Sequence, residues 1–294
     1  MIDTLHLFEA SGGIKIRTEG LTGMTESLKP ETGETYVTGY LRNLQVYAGE
    51  RGISIKGSLA KFLNGTNLRT LNRTEVIEAI SQIQDALSVN LSKAKVTRLD
   101  LAATIETRYP PEAYYPLLGN CPRMYRGTEG STLYYSVKCR RLLFYDKCKE
   151  LGRDLPEQWR GKNLLRFEAQ FRGKVARQLK RKRLEVQDLF CVDVFRDLKE
   201  RWKQEFRQIH KLEPLIKDIE VMRTPKDYKD RLLVDHVFAK GIDAINRDIE
   251  IMKHLGNMKP RNVSRLKSDF KEMTTGNSQG NSLINELESK VFSY

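Results

Sequence analysis

Three stretches of two-residue alternation constrain this chain more than any other feature. Lys95–Glu106 puts Leu99, Leu101, Ala103 and Ile105 on one side, and Arg98, Asp100, Ala102, Thr104 and Glu106 on the other. Arg140–Lys147 puts Leu142 and Phe144 opposite Leu143, Tyr145 and Lys147. Leu164–Phe171 separates Leu165, Phe167, Ala169 and Phe171 from Arg166, Glu168 and Gln170. Successive side chains of a strand point to opposite faces, so each stretch reads as a strand with one apolar and one polar side. Strands of that kind read as a sheet with one apolar and one polar face, and with helices elsewhere in the chain the fold class expected is α+β.

Any half-solvated sheet has polar outward residues, so the residue types carry the chemistry. Asp100 and Glu168 suit a hard divalent ion, and Tyr145 with Lys147 offers an oxygen nucleophile beside a cation. An adjacent ammonium favours the phenolate, whose ordinary pKa is about 10. Together these are parts for phosphodiester chemistry. Plain surface ion pairs, Asp100 with Arg98 and Glu168 with Arg166, are the alternative, worth under about 1 kcal/mol each. Tyr134 and Tyr135 are rival nucleophiles that lack a lysine at the same offset.

The rest of the chain supplies the frame. Met1–Phe8 reads as a first strand rather than a signal peptide. Thr35–Ala48 reads as one long strand, with a turn at Gly49–Gly52 and a return through Ile53–Gly57. Ser58 caps a short helical turn that stops at Asn64-Gly65, and Asn72–Val89 is an amphipathic helix with Asn72 or Thr74 as its cap. Pro110–Gly119 is expected as a short helix, and Ser131–Val137 as the first arm of a hairpin returning through Tyr145. Beyond about Gly173 the pattern turns helical, at Asp193–Leu212, Lys226–Lys240, Ile242–Leu255 and Val263–Met273, followed by a linker at Thr274–Asn281 and a short terminal helix. We therefore expect a catalytic region at 1–182 and a helical C-terminal region at 183–294 for DNA recognition or assembly.

Charge points to the partner. The 294 residues carry a formal net charge of +13, which favours a polyanion, since each cation meeting a phosphate releases condensed counterions. Lys174, Arg177, Lys180, Arg181, Lys182 and Arg183 fall in one run without an acid. With Lys61, Arg98, Arg140, Arg141 and Arg166 they are the candidate DNA contacts. That run has no amphipathic aromatic face, so nucleic acid is favoured over membrane. No stretch of about 18 apolar residues exists, and a cytoplasmic protein is expected. The four cysteines lack metal-ligand or redox spacing and read as free thiols.

The same residues resemble the gene II replication initiators of filamentous phages and the related phage and plasmid rolling-circle initiators. The matching segments are Met1-Ile2-Asp3, Ser58–Asn67, Val96–Asp100, Tyr145-Asp146-Lys147 and Leu165–Ala169, in the family's order over roughly residues 1 to 190. The resemblance implies an antiparallel sheet with flanking helices, related to the HUH endonucleases, and an origin-specific nickase that forms a 5′-phosphotyrosine and later rejoins strands. It puts the nucleophile on Tyr145 with Lys147 beside it. A Mg²⁺ or Mn²⁺ ion would rest on Asp100 and Glu168, with His6 as a further ligand, since the histidine pair that names the HUH enzymes is absent. Gln170 stands where an arginine is expected. Origin DNA, single-stranded or extruded from duplex, is the implied partner, and recruitment of a helicase or a single-strand DNA-binding protein is left open. The other readings are a non-catalytic DNA-binding initiator or regulator, and a relaxase-like mobilisation protein.

Overall fold

In the computed structural model, which describes residues 1–10, 16–212, 223–240, 242–274 and 282–294, the alternating segments become central strands. The strands are β1 (Ile2–Glu9), β2 (Thr22–Leu28), β3 (Thr35–Leu41), β4 (Leu44–Gly49), β5 (Gly52–Ser58), β6 (Lys95–Thr107), β7 (Tyr125–Glu129), β8 (Thr132–Val137), β9 (Arg140–Asp146) and β10 (Asn163–Arg172). They form one sheet in the order β2-β3-β4-β5-β1-β6-β10-β9-β8-β7, and every pairing is antiparallel. Two meanders therefore flank the pair β6–β10, and the strands richest in reactive side chains sit at the centre.

The helices are α1 (Leu59–Asn64), α2 (Arg73–Leu87), α3 (Lys147–Leu151), α4 (Val175–Gln178), α5 (Val192–Arg207), α6 (Pro225–Lys240), α7 (Ile242–His254), α8 (Pro260–Thr274) and α9 (Ser282–Ser293). Ser58 caps α1, which stops at Gly65 in the left-handed region with φ 73°. Asn72 and Glu75 cap α2 reciprocally. The apolar side of the sheet is the main core. Phe144 and Phe167 stack there at 4.6 Å, and Trp202 and Phe206 of α5 lie 4.9 and 5.6 Å from Phe167. Ile284, Leu287 and Val291 of α9 join the same core.

Several expectations are corrected. Thr35–Ala48 is two strands, because Arg42 takes φ 53° and turns the chain between β3 and β4. Pro110–Gly119 forms two 3-10 turns, Pro111–Ala113 and Tyr115–Leu117, rather than a helix. Strand β7 precedes the expected hairpin and extends it. The fifth helix ends at Arg207, after which Leu212 donates back to Leu117 and Gly119 to His210. The change of character near residue 183 is no break in the core, since α5 and α9 cover the sheet, while Ile245, Ile249 and Val263 of α7 and α8 form a cluster of their own. The expected linker lies outside the described residues except for Thr274, the last residue of α8. No helix among the described residues is long and apolar enough to cross a membrane, and the four cysteines are free.

Candidate active site and nucleic-acid interface

Strand register places the reactive groups on one face. Arg166 of β10 lies opposite Tyr145 of β9 and Thr104 of β6, Glu168 opposite Leu143 and Ala102, and Gln170 opposite Arg141 and Asp100. Directly opposed residues of an antiparallel pair share a face. Tyr145, Glu168 and Asp100 are thus brought to the same side of the sheet, as the alternation predicts.

The Tyr145 hydroxyl donates to Glu168 Oε2 at 3.3 Å. Glu168 Oε1 accepts from Gln170 Nε2 at 2.6 Å, and Gln170 is held in turn by Arg172. Burial first, and then the Glu168 charge, push the Tyr145 phenol well above its ordinary range. The expected lysine-stabilised phenolate is therefore corrected: the hydroxyl keeps its proton and points it at a carboxylate.

Lys147 explains why. Asp146 ends β9 and caps α3, accepting from the Cys148 and Lys149 amides, so Lys147 is a helical residue and the two-residue alternation stops before it. Its fully buried ammonium donates to Asn67 Oδ1 at 2.8 Å and to Glu150 Oε2 at 2.6 Å. It lies over the Tyr145 ring, 5.8 Å from the centroid, rather than against the hydroxyl.

Arg166, expected on DNA, is also fully buried. Its guanidinium donates to Asp3 Oδ2 at 2.5 Å, to the Asn67 carbonyl at 3.0 Å and to Thr104 Oγ1 at 2.9 Å, while Nε stays buried without a partner, and full burial leaves no face for a phosphate. Arg140 points to the opposite side of the sheet, where it meets buried Glu205 of α5 at 2.9 Å. Among the remaining candidates, Lys61, Lys174, Arg177, Lys180, Lys182 and Arg183 are exposed, while Arg181 pairs with Asp197 at 2.7 Å. Arg98 and Arg141 are partly exposed on the Tyr145 face.

The expected metal ligands do not assemble. Arg98 grips Asp100 with Nε at 2.9 Å and Nη2 at 2.5 Å, the ion pair foreseen as the plainer alternative. Burial, opposed by Arg98, still raises the Asp100 carboxyl to about 7. His6 stands opposite Lys56 on β5 and Arg98 on β6, and Arg98 pairs in register with Arg172. Burial and these three cations lower His6 to about 4. A divalent cation at His6 would enter a row of like charges, which corrects its assignment as a ligand. Among the described residues no three His, Cys, Asp or Glu side chains gather closely enough to hold a metal. As arranged, these residues do not make a metal site.

Residue-by-residue reasoning missed Asp3, Asn67 and Glu150, which hold Arg166 and Lys147 in place. Asp3 and Asn67 lie inside segments that carried the family resemblance, and that was the signal available. Rival nucleophile Tyr135 is buried, with its hydroxyl donating to the Leu118 and Gly119 carbonyls at 2.8 and 2.7 Å. Tyr134 lies under Arg141, 4.5 Å from ring centroid to guanidinium.

Residues 15–200 match the family model for the N-terminal region of the phage gene II replication-associated protein. A solved structure of a rolling circle replication initiator protein from Geobacillus stearothermophilus is similar at 18% identity and a TM-score of 0.42, over 76% of this chain and 91% of that one. No curated protein matches the chain.

Proposed function

Because the chain belongs to the family defined by the N-terminal region of the phage gene II replication-associated protein, we propose that it initiates rolling-circle replication by nicking origin DNA with Tyr145. The observation that carries this reading is the Tyr145 hydroxyl donating to Glu168 on the polar face of the sheet. A phenol whose pKa is raised by burial attacks only if its proton leaves as the new bond forms, and Glu168 is in place as the general base. Tyr145 Oη bonds to phosphorus, the bond from phosphorus to the 3′ oxygen breaks, and the proton held by Glu168 is available to that oxygen. The products are a 5′-phosphotyrosine and a free 3′-hydroxyl for a polymerase. Since one phosphodiester replaces another, the reverse reaction rejoins strands without a nucleotide cofactor.

Mg²⁺ or Mn²⁺ belongs to the reading as the cofactor expected of such an initiator, where it would draw charge from a phosphoryl oxygen. Asp100 and Glu168 are the donors to test, and no step above depends on it. Arg98, Arg141 and the exposed cations of Lys174–Arg183 would neutralise the backbone of single-stranded or extruded origin DNA. A displaced strand has to be unwound and covered, so a helicase and a single-strand DNA-binding protein are the further partners, in the cytoplasm. We assign nicking to the sheet of residues 1–182 and DNA recognition or assembly to the helices beyond it.

The second reading is a DNA-binding initiator that does not cut, and a Tyr145 phenol pushed up by burial with the Lys147 ammonium turned away from it favours that reading. Supercoiled DNA bearing the parent replicon's origin separates the two, incubated with Mn²⁺ or Mg²⁺ and either the unmodified chain or Tyr145→Phe. Nicked circles with protein on the 5′ end, made only by the unmodified chain, support transesterification. Binding without cutting by both proteins leaves the second reading.

A further inference from the structure

Beyond Tyr145 the polar face continues onto β8 and β7, where nothing in the proposed reaction uses it. In register, Leu143 faces Tyr134 and Arg141 faces Ser136, while Tyr134 faces Gly127 and Ser136 faces Tyr125. Tyr125 is 67% exposed. The two rings are 6.1 Å apart and tilted by 45°, and both reach across Gly127. A Cβ there would meet Tyr134 Oη at 2.6 Å and Tyr125 Cε1 at 2.9 Å. The missing side chain is what lets two phenol rings lie over the strand.

Arg141 covers Tyr134 and is steadied by Glu129 at 2.9 Å. A groove of about 400 Å³, lined by Arg141, Leu143 and Tyr145 and by the carboxylates of Glu129, Asp146 and Glu150 among others, runs beside the proposed nucleophile, and Arg141, which covers Tyr134, is the residue it shares with the patch. On the other side of Tyr145, Lys56, His6, Arg98 and Arg172 form a row across four strands. Cations along a track, with the exposed Tyr125 ring and the half-buried Tyr134 ring at its end, match a flexible single strand, whose phosphates take the charges and whose unstacked bases take the rings. A duplex hides its base faces and has no use for the rings.

We infer that Tyr125 and Tyr134, floored by Gly127 and flanked by Arg141, form a stacking subsite for unpaired bases next to the Tyr145 groove. The inference takes from the proposed function only that a single strand runs past Tyr145. It concerns binding and needs no cut.

The test is fluorescence anisotropy of a labelled mixed-sequence single-stranded 20-mer without divalent ions, beside the same sequence as duplex. The full-length chain is compared with Tyr125→Ala, Tyr125→Phe, Gly127→Val and Tyr134→Ala. Loss of an aromatic ring on which a base stacks should weaken single-strand binding of Tyr125→Ala by about tenfold while duplex binding changes little. Tyr125→Phe, which keeps the ring, should bind as the unmodified chain does. Gly127→Val, which removes no ring but displaces both, should weaken the single strand like Tyr134→Ala. Tyr125 is too exposed for its loss to unfold the sheet, so that variant decides even if the others are unstable. Unchanged single-strand affinity in Tyr125→Ala overturns the subsite, as does an equal loss on duplex. If the chain never nicks origin DNA yet Tyr125→Ala shows the selective loss, the subsite stands and the nickase reading falls.

Discussion

The Tyr145 hydroxyl and the Glu168 carboxylate, on neighbouring strands and 3.3 Å apart, share a proton-donating contact on the polar face of the sheet. The phenol's raised pKa makes that contact the route by which its proton would leave. Glu168→Gln keeps the shape and the hydrogen-bonding reach but removes the base. General-base catalysis is worth roughly 10²–10⁴-fold, so Glu168→Gln is expected to slow single-turnover nicking by at least about a hundredfold with origin affinity nearly unchanged. Tyr145→Phe should abolish the covalent complex. Gel quantification of the 5′-linked product checks both, and nicking by Glu168→Gln at the unmodified rate would remove Glu168 from the base role.

Lys147 is the contrasting case. Its ammonium is turned into the protein, toward Asn67 and Glu150, and burial lowers its pKa. Lys147→Met keeps the stem, removes a buried charge, and leaves Glu150 a side chain 40% exposed to water. Nicking by Lys147→Met is expected to fall by less than about tenfold, far less than in Glu168→Gln, because a group facing away from the phenol adds little to acid–base chemistry. A loss as large as that of Glu168→Gln would mean the ammonium reaches the reacting oxygen during turnover.

The central strands were legible because alternation survives any neighbour: Leu99, Phe144 and Phe167 are core residues for the reason their spacing gives. The limit appears at Asp146. Whether Lys147 continues the strand depends on Asp146 capping the next two amides, a local hydrogen bond that periodicity does not encode. Arg166 failed differently. On the polar side of its strand it reads as a surface cation, and it is interior because Asp3, beside a β-bulge near the start of β1, meets it there together with Asn67 and Thr104. The packing of α5 and α9 under the sheet is likewise set by contacts between segments far apart in sequence, so a change in composition at residue 183 suggests a boundary that the core does not have.

Arg166 and Asp3 therefore carry a stability prediction instead of a DNA-binding one. Both are buried and joined at 2.5 Å, so truncating one leaves the other charge unpaired in the interior. That costs about 3–5 kcal/mol for a buried pair. Asp3→Ala is expected to lower the urea unfolding free energy by that order. Arg166→Met, which replaces the cation by an apolar stem, should be no less severe, because it leaves Asp3 without its cation. A surface arginine on DNA would behave otherwise: Arg166→Met would leave unfolding unchanged and reduce origin affinity.

His6 gives the pH dependence of the folded state. Burial first, and then Arg98, Lys56 and Arg172, lower it to about 4 in the folded chain, against an ordinary value of about 6.5. Between those values the unfolded chain binds more protons, so this group's contribution to stability rises with pH from about 4 to 6.5, is complete above that, and is lost as pH falls. Asp100 acts in the opposite sense. Raised to about 7, it makes the folded chain the better proton binder from about 4 upward and lowers stability as pH rises. The two partly cancel in the unmodified protein, so the informative quantity is a difference. Unfolding free energies of the unmodified chain minus those of His6→Gln should climb from pH 4 to 6.5 and then level off, and His6→Gln alone should lose stability toward pH 7. A difference that stays flat over that range would show His6 to be titrating normally, without the burial and the neighbouring cations that lower it.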